Sequence, residues 1–406
     1  MTVLRILHPM DPLGRKVGGA ESFVKNMIRF SPSGLSIELV GTSSREVRLR
    51  EWREELLAGR EYRFLPLLKE EGENRRSFPP LSLRYTVALR RSGLSWQNRI
   101  LFFNRIEPAI LSLNGATPRV AVVHNDVKRQ IMNGPGEVLW SRCPGLYRRV
   151  EKRIFRSLQR VFCVHRETWE EYRELYPLWE EKFLYLPPGF DGKTFSLSPS
   201  GKEEVRRALA EKEALDPHRP WILFVGRLQP QKNPLALLDA LKALNPALSK
   251  TLLLIVGEGD MAGALKARVK REGMEERVLF LGYRQASEIA SFYRAADLLL
   301  LSSRFEGLPL TALEALSCGL PVVAPPVGDL ASLIHGGING EVVSGTHPED
   351  AARALEKVLT NPALYSRERC SQSVDNYRSE RLYGRLFDLV LETAEAAGDP
   401  GRVGKG

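Results

Sequence analysis

Two basic residues follow directly on an apolar run in the second half of the chain. Arg227 and Lys232 lie five positions apart in "VGRLQPQKN" (225–233), which continues the run "WILFVG" (221–226). A guanidinium offers phosphate oxygens a planar pair of donors, and an ammonium offers them a mobile point charge. If the run is a strand, two cations at its carboxyl end suit a diphosphate. Taken alone, the two residues fit a solvated charged loop equally well.

Two carboxylates eight positions apart form a second candidate group. Glu306 and Glu314 lie in "FEGLPLTALEAL" (305–316), after the apolar run "DLLLLSS" (297–303). Pro309 predicts a helix that starts there, because a proline in the first helical turn gives up no useful N–H group. Glu306 would then lie in the loop before the helix, and Glu314 about a turn and a half into it.

The start of this predicted helix also offers free backbone donors. The amide groups of Leu310 and Thr311 would point out of the helix N-terminus, which attracts anions. Glu314 could instead be an ordinary exposed helix residue, but its neighbours Leu310, Leu313 and Leu316 are apolar. A carboxylate in apolar surroundings needs a hydrogen-bond donor, and this favours a ligand-binding role.

Short apolar runs alternate with helical patterns along the chain, which predicts two α/β doubly wound domains with parallel sheets. The runs are "VLRIL" (3–7), "SIELVGT" (36–42), "RVAVVHND" (119–126), "RVFCVHRE" (160–167), "FLYLPPGFDGKTF" (183–195), "WILFVG" (221–226), "TLLLIVG" (251–257), "RVLFLG" (277–282), "DLLLLSS" (297–303) and "LPVVAPP" (320–326). A segment rich in Ser, Gly and Pro at 196–204 separates the halves as a linker. We predict domains at 1–195 and 205–375 and a final helix at about 379–397.

Length and composition set further bounds. The chain has 406 residues, which exceeds what one hydrophobic core usually supports. Its apolar runs are far shorter than the ~18 residues that span a bilayer, and the N-terminus lacks the pattern of a signal peptide. The four cysteines are scattered without a CxxC pair, and the six histidines show no metal-ligand spacing. We therefore expect a reduced, cytoplasmic protein without structural zinc or disulfides.

The net charge of +10 is concentrated in one segment. Residues 81–160 contain 15 Lys and Arg against four Asp and Glu. Within them, "LYRRVEKRIFRSLQRV" (146–161) predicts a basic amphipathic helix with Leu146, Val150, Ile154 and Leu158 on one face. The helix could simply pack on the core with a solvated basic face. Alternatively, the segment could dock the protein on an anionic membrane surface. Nucleic acid is a less suitable partner, because no recognisable binding module is present.

The motifs stand in an order that resembles the group 1 glycosyltransferases of family 4. The match includes the Arg/Lys pair and the two glutamates, and it extends over nearly the whole chain. Its other parts are "GGAE" (18–21), "HN" (124–125), "PPGFD" (187–191), "VGEGDM" (256–261), "CGLPVVAPPVGDL" (318–330) and "INGEVV" (338–343).

The resemblance implies the GT-B fold, in which an N-terminal acceptor-binding domain and a C-terminal donor-binding domain, both Rossmann-like, face each other across a cleft. In that fold the final helix, here about 379–397, can pack back on the N-terminal domain. It also implies metal-independent transfer of a sugar, with retention at the anomeric carbon, from a nucleotide diphosphate sugar such as a UDP or GDP sugar. The acceptor would be a hydroxyl on a sugar or a lipid-linked acceptor, as in cell-surface polysaccharide or glycolipid synthesis. No cofactor beyond the nucleotide sugar is implied.

The resemblance assigns roles to individual positions. Arg227 and Lys232 would stabilise the charge that develops on the diphosphate, Glu306 would contact the donor sugar, and Glu314 would accept from the ribose hydroxyls. His124 would lie near the reacting carbon. The implied catalytic residues are His124, Arg227, Lys232 and Glu306. The implied donor-binding residues are Gly19, Gly226, Arg227, Lys232, Tyr283, Arg284, Glu306, Gly307, Leu308, Leu310, Thr311 and Glu314. The implied acceptor-binding residues are Gly18, Glu21, His124 and Asn125.

The sequence departs from the class in a few places. His165 stands where a serine is common, and Asp329 and Leu330 stand where a second glycine and a small-residue turn are more usual. None of these departures removes a catalytic group. Two other functions stay open at this point: a GT-B-fold epimerase that acts on a nucleotide sugar, and a nucleotide-sugar-binding protein without transfer activity.

Overall fold

The computed structural model describes residues 2–14, 19–69, 80–112, 117–124 and 144–398. The chain divides into two compact units, one of residues 1–187 with 380–406 and the other of residues 188–379. None of the helices in the described ranges has a stretch long and apolar enough to cross a membrane.

The first unit is built on an eight-stranded sheet in the order β3-β4-β2-β1-β5-β6-β7-β8. All neighbouring strands are parallel except β3 and β4. Its elements up to residue 187 are β1 (Thr2–Leu7), α1 (Gly19–Arg29), β2 (Leu35–Ser43), β3 (Arg53–Leu57), β4 (Arg60–Lys69), α2 (Leu81–Arg91), β5 (Ile100–Phe103), β6 (Arg119–Val123), α3 (Pro144–Ser157), β7 (Arg160–Cys163), α4 (Arg166–Leu175) and β8 (Phe183–Tyr185).

The second unit is built on a six-stranded parallel sheet in the order β11-β10-β9-β12-β13-β14. Its elements are α5 (Gly201–Glu213), β9 (Trp221–Val225), α6 (Leu235–Lys242), β10 (Leu252–Val256), α7 (Ala262–Arg271), β11 (Val278–Gly282), α8 (Ala286–Ala295), β12 (Leu298–Leu300), α9 (Leu310–Ser317), β13 (Val322–Ala324), α10 (Leu330–Leu333), β14 (Gly340–Val342), α11 (Pro348–Thr360) and α12 (Arg367–Ser373). Strands β9, β10, β12 and β13 are buried along their whole length, as continuous apolar runs in a covered parallel sheet should be.

One more helix, α13 (Ser379–Gly398), follows the second unit and packs on the first. Tyr383, Leu386, Phe387 and Val390 are buried in a core that also contains Leu4 of β1. The rings of Phe23 and Tyr383 lie 5.4 Å apart. The core of the first unit is therefore made from two segments that are distant in the sequence.

Each sheet reverses its strand order at one point. In the second unit the chain runs from β9 to β10 and β11 in one direction, and β12 to β14 lie on the other side of β9. In the first unit the same reversal lies between β1 and β5. Ligands of doubly wound sheets bind outside the strand carboxyl ends at such a point, so the residues after β9, β12, β1 and β5 are the ones to examine. The cleft between the units stays a prediction.

The structure corrects three details of the predicted elements. The basic helix ends at Ser157 instead of 161, because residues from Arg160 onward form β7. Pro309 caps α9 with an extended backbone and precedes the helix instead of lying inside it. The strands β3, β4, β5 and β14 were not predicted, and β3 and β4 form a hairpin that adds an antiparallel edge to the first sheet.

Candidate functional site

The loop after β9 brings Arg227 and Lys232 to the reversal point of the second sheet. Pro230 starts a short 3₁₀ turn that ends at Lys232, and the amide of Leu228 donates to the carbonyl of Glu258 at 2.8 Å. Arg227 is exposed, and its guanidinium has no hydrogen-bond or ion-pair partner among the described residues. Its donors are therefore free for a ligand at the end of the strand.

Lys232 and Glu306 meet across the two strands that flank the reversal point. The ammonium of Lys232 forms an ion pair with Oε1 of Glu306, and the same oxygen accepts a 2.6 Å hydrogen bond from the hydroxyl of Ser303. The hydroxyl of Ser302 donates to the carbonyl of Lys232 at 2.8 Å, which fixes the two loops to each other. The second oxygen of Glu306, Oε2, has no protein partner in the described part of the chain, so it is free to accept from a ligand hydroxyl.

A glycine turn after β13 holds the loop of Glu306 in place. Gly328 has a positive φ of 55°, and a Cβ there would lie 2.2 Å from the carbonyl oxygen of Glu306. The amide of Asp329 donates to the carbonyl of Gly307 at 3.1 Å. Only a glycine allows this close approach. Because Gly328 is present, the departure at Asp329 leaves the packing between the two loops intact.

The N-terminus of α9 lies directly after this loop. The N-cap residue Pro309 makes no side-chain hydrogen bond to the helix, and the first amides of a helix have no partner within it. The hydroxyl of Thr311 is buried and has no hydrogen-bond partner among the described residues, whereas Leu310 is 42% exposed. Leu308 is buried beneath the loop. Uncapped amides and an unsatisfied hydroxyl are the groups that an anionic ligand would satisfy.

Glu314 lies further along α9 in a partly buried position. Its Oε2 accepts a 3.2 Å hydrogen bond from the hydroxyl of Tyr293, which is itself buried. Burial raises the pKa of Glu314 from its ordinary 4.5 to about 7, and the bond from Tyr293 opposes that rise. No cation neutralises this carboxylate among the described residues. An acceptor with one free oxygen and no counter-ion suits neutral hydroxyl groups.

The turn after β11 contains the predicted base-pocket residues. Tyr283 is 71% exposed, and its amide lies 3.4 Å from Oε1 of Glu258. The guanidinium of Arg284 donates to Glu213 of α5 at 2.9 Å. The ring of Tyr283 is therefore open to a ligand, whereas the side chain of Arg284 is engaged in an ion pair within the unit.

His124 lies at the carboxyl end of β6 in the first unit, next to the reversal point of that sheet. Its Nε2 lies 2.8 Å from Oδ1 of Asn104, which follows β5 and is fully buried. The amide group of Asn104 donates from Nδ2 to the carbonyl of Ala20 at the start of α1. Because that carbonyl can only accept, the amide oxygen must face His124, and Nε2 of the imidazole must carry the proton.

Other polar residues surround this imidazole. Nε2 of His165 lies 3.1 Å from the backbone carbonyl of His124, and the rings of Phe23 and His124 are nearly perpendicular at 5.2 Å between their centres. Nε2 of the buried His8 lies 3.9 Å from the carboxylate of Glu21. Burial, reinforced by the nearby charges of His8, Arg105 and His165, lowers the pKa of His124 to about 3. His124 is therefore neutral at physiological pH.

The structure places most of the predicted site residues at the two reversal points. In the second unit it brings together Gly226, Arg227, Lys232, Glu306, Gly307 and Thr311. In the first unit it brings Glu21 near His8, and Gly19 begins α1. Gly18 and Asn125 lie outside the described residues.

Sequence analysis missed three polar residues of these sites. Asn104 follows the buried strand "ILFF" (100–103), and Ser302 and Ser303 follow β12. Each is a polar residue directly after an apolar run, which is the signal that singled out His124. Asn104 was missed because the strand before it was not predicted. Ser302 and Ser303 were missed because the predicted strand 297–303 includes them.

Comparison with known proteins finds sequence similarity for the second unit. Residues 205–376 match the model of a family described as glycosyl transferases group 1. The D-inositol 3-phosphate glycosyltransferase of Actinosynnema mirum is 36% identical over 199 residues, which make up 47% of this chain and 46% of that protein. The chain spans about half the length of the curated relatives it matches.

Solved structures match the whole chain at lower identity. Sucrose-phosphate synthase from Thermosynechococcus elongatus has a TM-score of 0.70 at 18% identity and covers 98% of this chain and 100% of its own. Anabaena HepE in complex with UDP has a TM-score of 0.69 at 17% identity, with 97% of this chain and 100% of its own covered. The fold is that of the GT-B glycosyltransferases. The prediction of two Rossmann-like domains of this class is confirmed.

Proposed function

We propose that this protein is a metal-independent retaining glycosyltransferase of family 4, which moves a sugar from a nucleotide diphosphate sugar to a hydroxyl acceptor. The observation that carries the proposal is the contact between Lys232 and Glu306 at the reversal point of the second sheet. Beside it lies the guanidinium of Arg227, which has no partner among the described residues. Together they give one site two cations for a diphosphate and one carboxylate for sugar hydroxyls. The likeness of residues 205–376 to group 1 glycosyl transferases supports the same assignment.

The proposed reaction requires positive charge where the donor's diphosphate leaves. The bond between the anomeric carbon and the phosphate oxygen breaks, and a bond to the acceptor oxygen forms on the same face of the sugar. The acceptor proton passes to a phosphate oxygen of the leaving group. Arg227 and Lys232 stabilise the charge that grows on the diphosphate, and this is the work that a divalent ion does in metal-dependent enzymes.

In this proposal, residues of the second unit bind both the sugar and the ribose of the donor. The free oxygen of Glu306 accepts from sugar hydroxyls, and Glu314 accepts from the ribose. HepE was crystallised with UDP-glucose as well as with UDP, so a UDP sugar is the first donor to test and a GDP sugar the second. The acceptor is assigned to the first unit, where neutral His124 can face a hydroxyl.

The acceptor is expected to be a sugar or a lipid-linked sugar. We also propose that the protein works at an anionic membrane surface, which it contacts through its basic segment 81–160. Inositol phosphate belongs in the acceptor screen, because several relatives are named for D-inositol 3-phosphate.

The test is a donor screen with analysis of both products. The protein is incubated with UDP, GDP and ADP sugars, with and without candidate acceptors. Release of nucleoside diphosphate together with a new α- or β-glycoside of unchanged anomeric configuration supports the proposal. An isomerised donor would identify an epimerase instead, and binding without turnover across all acceptors would identify a binding protein.

Lys232→Ala is expected to lower kcat by about a hundredfold or more, because removal of one preorganised charge partner costs that much in comparable sites. Lys242→Ala is the matched control. Lys242 is also a lysine of the second unit in an ion pair, but it is 67% exposed and lies on α6. Circular dichroism and thermal unfolding of both variants verify that the fold is intact. An unchanged rate in folded Lys232→Ala would contradict the role of Lys232.

A further inference from the structure

A concave surface on the first unit is lined by six basic side chains and by no carboxylate among its described residues. The cavity has a volume of about 1100 Å³. Its basic residues are Arg119, Arg149, Lys152, Arg153, Arg156 and Lys182. We refer to this surface as the basic hollow. It lies at the end of α3 and is separate from the residues around His124.

The opposite face of α3 explains why its cations point outward. Ile154 and Phe155 are buried in the core of the first unit. Glu151, the acid of this helix, is buried too, and it accepts from the hydroxyls of Tyr172 and Tyr176 and from Arg148. The acidic side chain of α3 is thus buried inside the protein, and the helix has no other acid to neutralise the cations on its exposed face.

Among the described residues, the exposed cations of α3 have no ionic partners. Arg149, Lys152, Arg153 and Arg156 are exposed and form no ion pair with any described residue, in contrast to Arg148 on the same helix. The ammonium of Lys182 lies 5.5 Å from the ring of Trp179, and burial together with the charge of Arg119 lowers the pKa of Lys182. Like charges that line one hollow repel each other, and a multiply charged anion would relieve that repulsion.

Apolar side chains protrude next to the hollow. Leu178, which directly precedes Trp179 in the turn Pro177–Lys182, is 92% exposed, and Leu175 at the end of α4 is 47% exposed. Trp179 lines the hollow and stacks on Tyr176 at 5.9 Å between ring centres. A leucine that is almost fully exposed beside a tryptophan and a cluster of cations is the combination found where proteins meet a lipid interface.

We propose that the basic hollow and the turn Pro177–Lys182 form a docking surface for a bilayer with anionic headgroups. Lipid phosphates occupy the hollow, and Leu178 enters the apolar layer. Of the anionic partners, a membrane is the one that uses both features, because a dissolved polyanion gains nothing from Leu178. This surface refines the basic segment 81–160, since Trp179, Leu178 and Lys182 lie outside that range.

The charge contribution is tested with vesicles and the full chain. The probe is binding to phosphatidylcholine vesicles with and without phosphatidylglycerol, at low and at raised salt. The variant Lys152→Gln/Arg153→Gln/Arg156→Gln is expected to bind the anionic vesicles about a hundredfold more weakly, because each basic residue near such a surface contributes about fivefold. The control Arg207→Gln/Lys250→Gln/Lys270→Gln removes the same charge from exposed positions of the second unit and is expected to bind as the parent does.

The apolar contribution is tested with Leu178→Ser, which leaves the charge unchanged. This variant is expected to bind anionic vesicles about tenfold more weakly, because a leucine side chain no longer leaves water. Equal binding of the parent protein to neutral and anionic vesicles at low salt would overturn the proposal. A second pair of results would also overturn it. In that case short duplex DNA or inositol hexakisphosphate binds in a way that depends on the three cations, and Leu178→Ser leaves vesicle binding unaltered.

Failure of this test is distinguishable from failure of the proposed transfer reaction. Vesicle binding is measured without any sugar donor, and donor turnover is measured with soluble acceptors. Neither triple variant touches the residues around Lys232 or His124. A triple variant of the hollow that keeps full turnover with soluble acceptor and loses vesicle binding supports the proposal.

Discussion

Glu314 is a carboxylate whose ionisation is set by its surroundings. It is partly buried on α9, and its hydrogen-bond partner is the neutral hydroxyl of Tyr293. The raised pKa, about 7, follows from the loss of water around the charged form. The same residue therefore connects ligand binding with the stability of the second unit, and the two should respond to pH in opposite directions.

Glu314→Gln is expected to stabilise the protein above pH 7 and to weaken nucleotide binding there. Between pH 4.5 and 7 the folded state keeps a proton on Glu314 that the unfolded chain has released. This stabilising contribution is complete below pH 4.5 and is lost as the pH rises through 7. Since glutamine stays neutral, the variant should gain on the order of 3 kcal/mol over the parent at pH 8.

Urea unfolding and calorimetric binding of nucleoside diphosphate, each at pH 5 and pH 8, measure the two effects. The difference between parent and variant cancels the titration of other groups and of the ligand phosphate. In the parent, ionisation of Glu314 adds to affinity as the pH rises through 7, and the variant lacks this gain. Identical pH profiles in both assays would contradict the assignment.

Asn104 positions His124, which the sequence predicts as a site residue. Its amide is held at one end by the carbonyl of Ala20 and at the other by the imidazole of His124. The geometry leaves one neutral tautomer, with the proton on Nε2. The side chain of Asn104 thus sets the hydrogen-bonding character of the imidazole that faces the predicted acceptor position.

Asn104→Asp is expected to keep the Nε2–H tautomer of His124 and to raise its pKa, because a carboxylate accepts the same hydrogen bond and attracts a proton. Asn104→Leu removes the acceptor and is expected to give a mixture of tautomers. Two-dimensional ¹H–¹⁵N spectra of the histidine side chains report both properties, and His124→Asn assigns the signal. A parent spectrum with the proton on Nδ1 would contradict the derived tautomer, whatever the stability of the variants.

At the scale of elements, α13 contributes to a unit from which it is distant in the sequence. It follows the last element of the second unit, yet its apolar side chains complete the core of the first. Phe387 and Leu386 are fully buried, as are the strand residues Leu4 and Ile6 of the same core. The helix should therefore be as important to the first sheet as any helix that lies between its strands.

Phe387→Ala is expected to lower the free energy of unfolding by about 3–5 kcal/mol, the usual cost of emptying a phenylalanine site in a core. Hydrogen exchange followed by mass spectrometry should show faster exchange in β1, β5 and β6 and unchanged exchange in β9 and β10. Glu395→Ala, at an exposed position of the same helix, is the control and should change stability by no more than about 0.5 kcal/mol. Faster exchange in β9 and β10 alone would show that the helix stabilises the other unit.

The elements differ in how well their sequence predicts them. Strands β9 and β10 were predicted to within one or two residues, because a strand buried on both faces is a continuous apolar run. The hairpin β3–β4 was missed because charged residues alternate through it and because its turn, Ala58–Gly59, has positive φ without the usual Asn-Gly pair. Helix α3 was predicted too long because Leu158 continues its apolar spacing.

At the scale of the molecule, the strand order is what local sequence cannot supply. Lys232 and Glu306 were each predicted as site residues, but they are 74 positions apart. Their contact follows only from the adjacency of β9 and β12. The charge distribution, by contrast, was visible in the sequence, and the structure adds that the acid of α3 is buried while its cations are exposed. Composition shows how much charge a segment has, and packing decides which part of it faces a partner.

The discontinuous first unit has a consequence for how the protein is made. Strands β1 to β8 emerge from the ribosome long before residues 383–390 can complete the core around Leu4 and Phe23. The whole of residues 188–379 must be synthesised in between. The second unit can therefore fold during translation, while the first unit still has an apolar face of its sheet exposed. We therefore expect a pause in translation before residue 380 to prolong the exposure of that apolar face and to favour aggregation of the nascent chain.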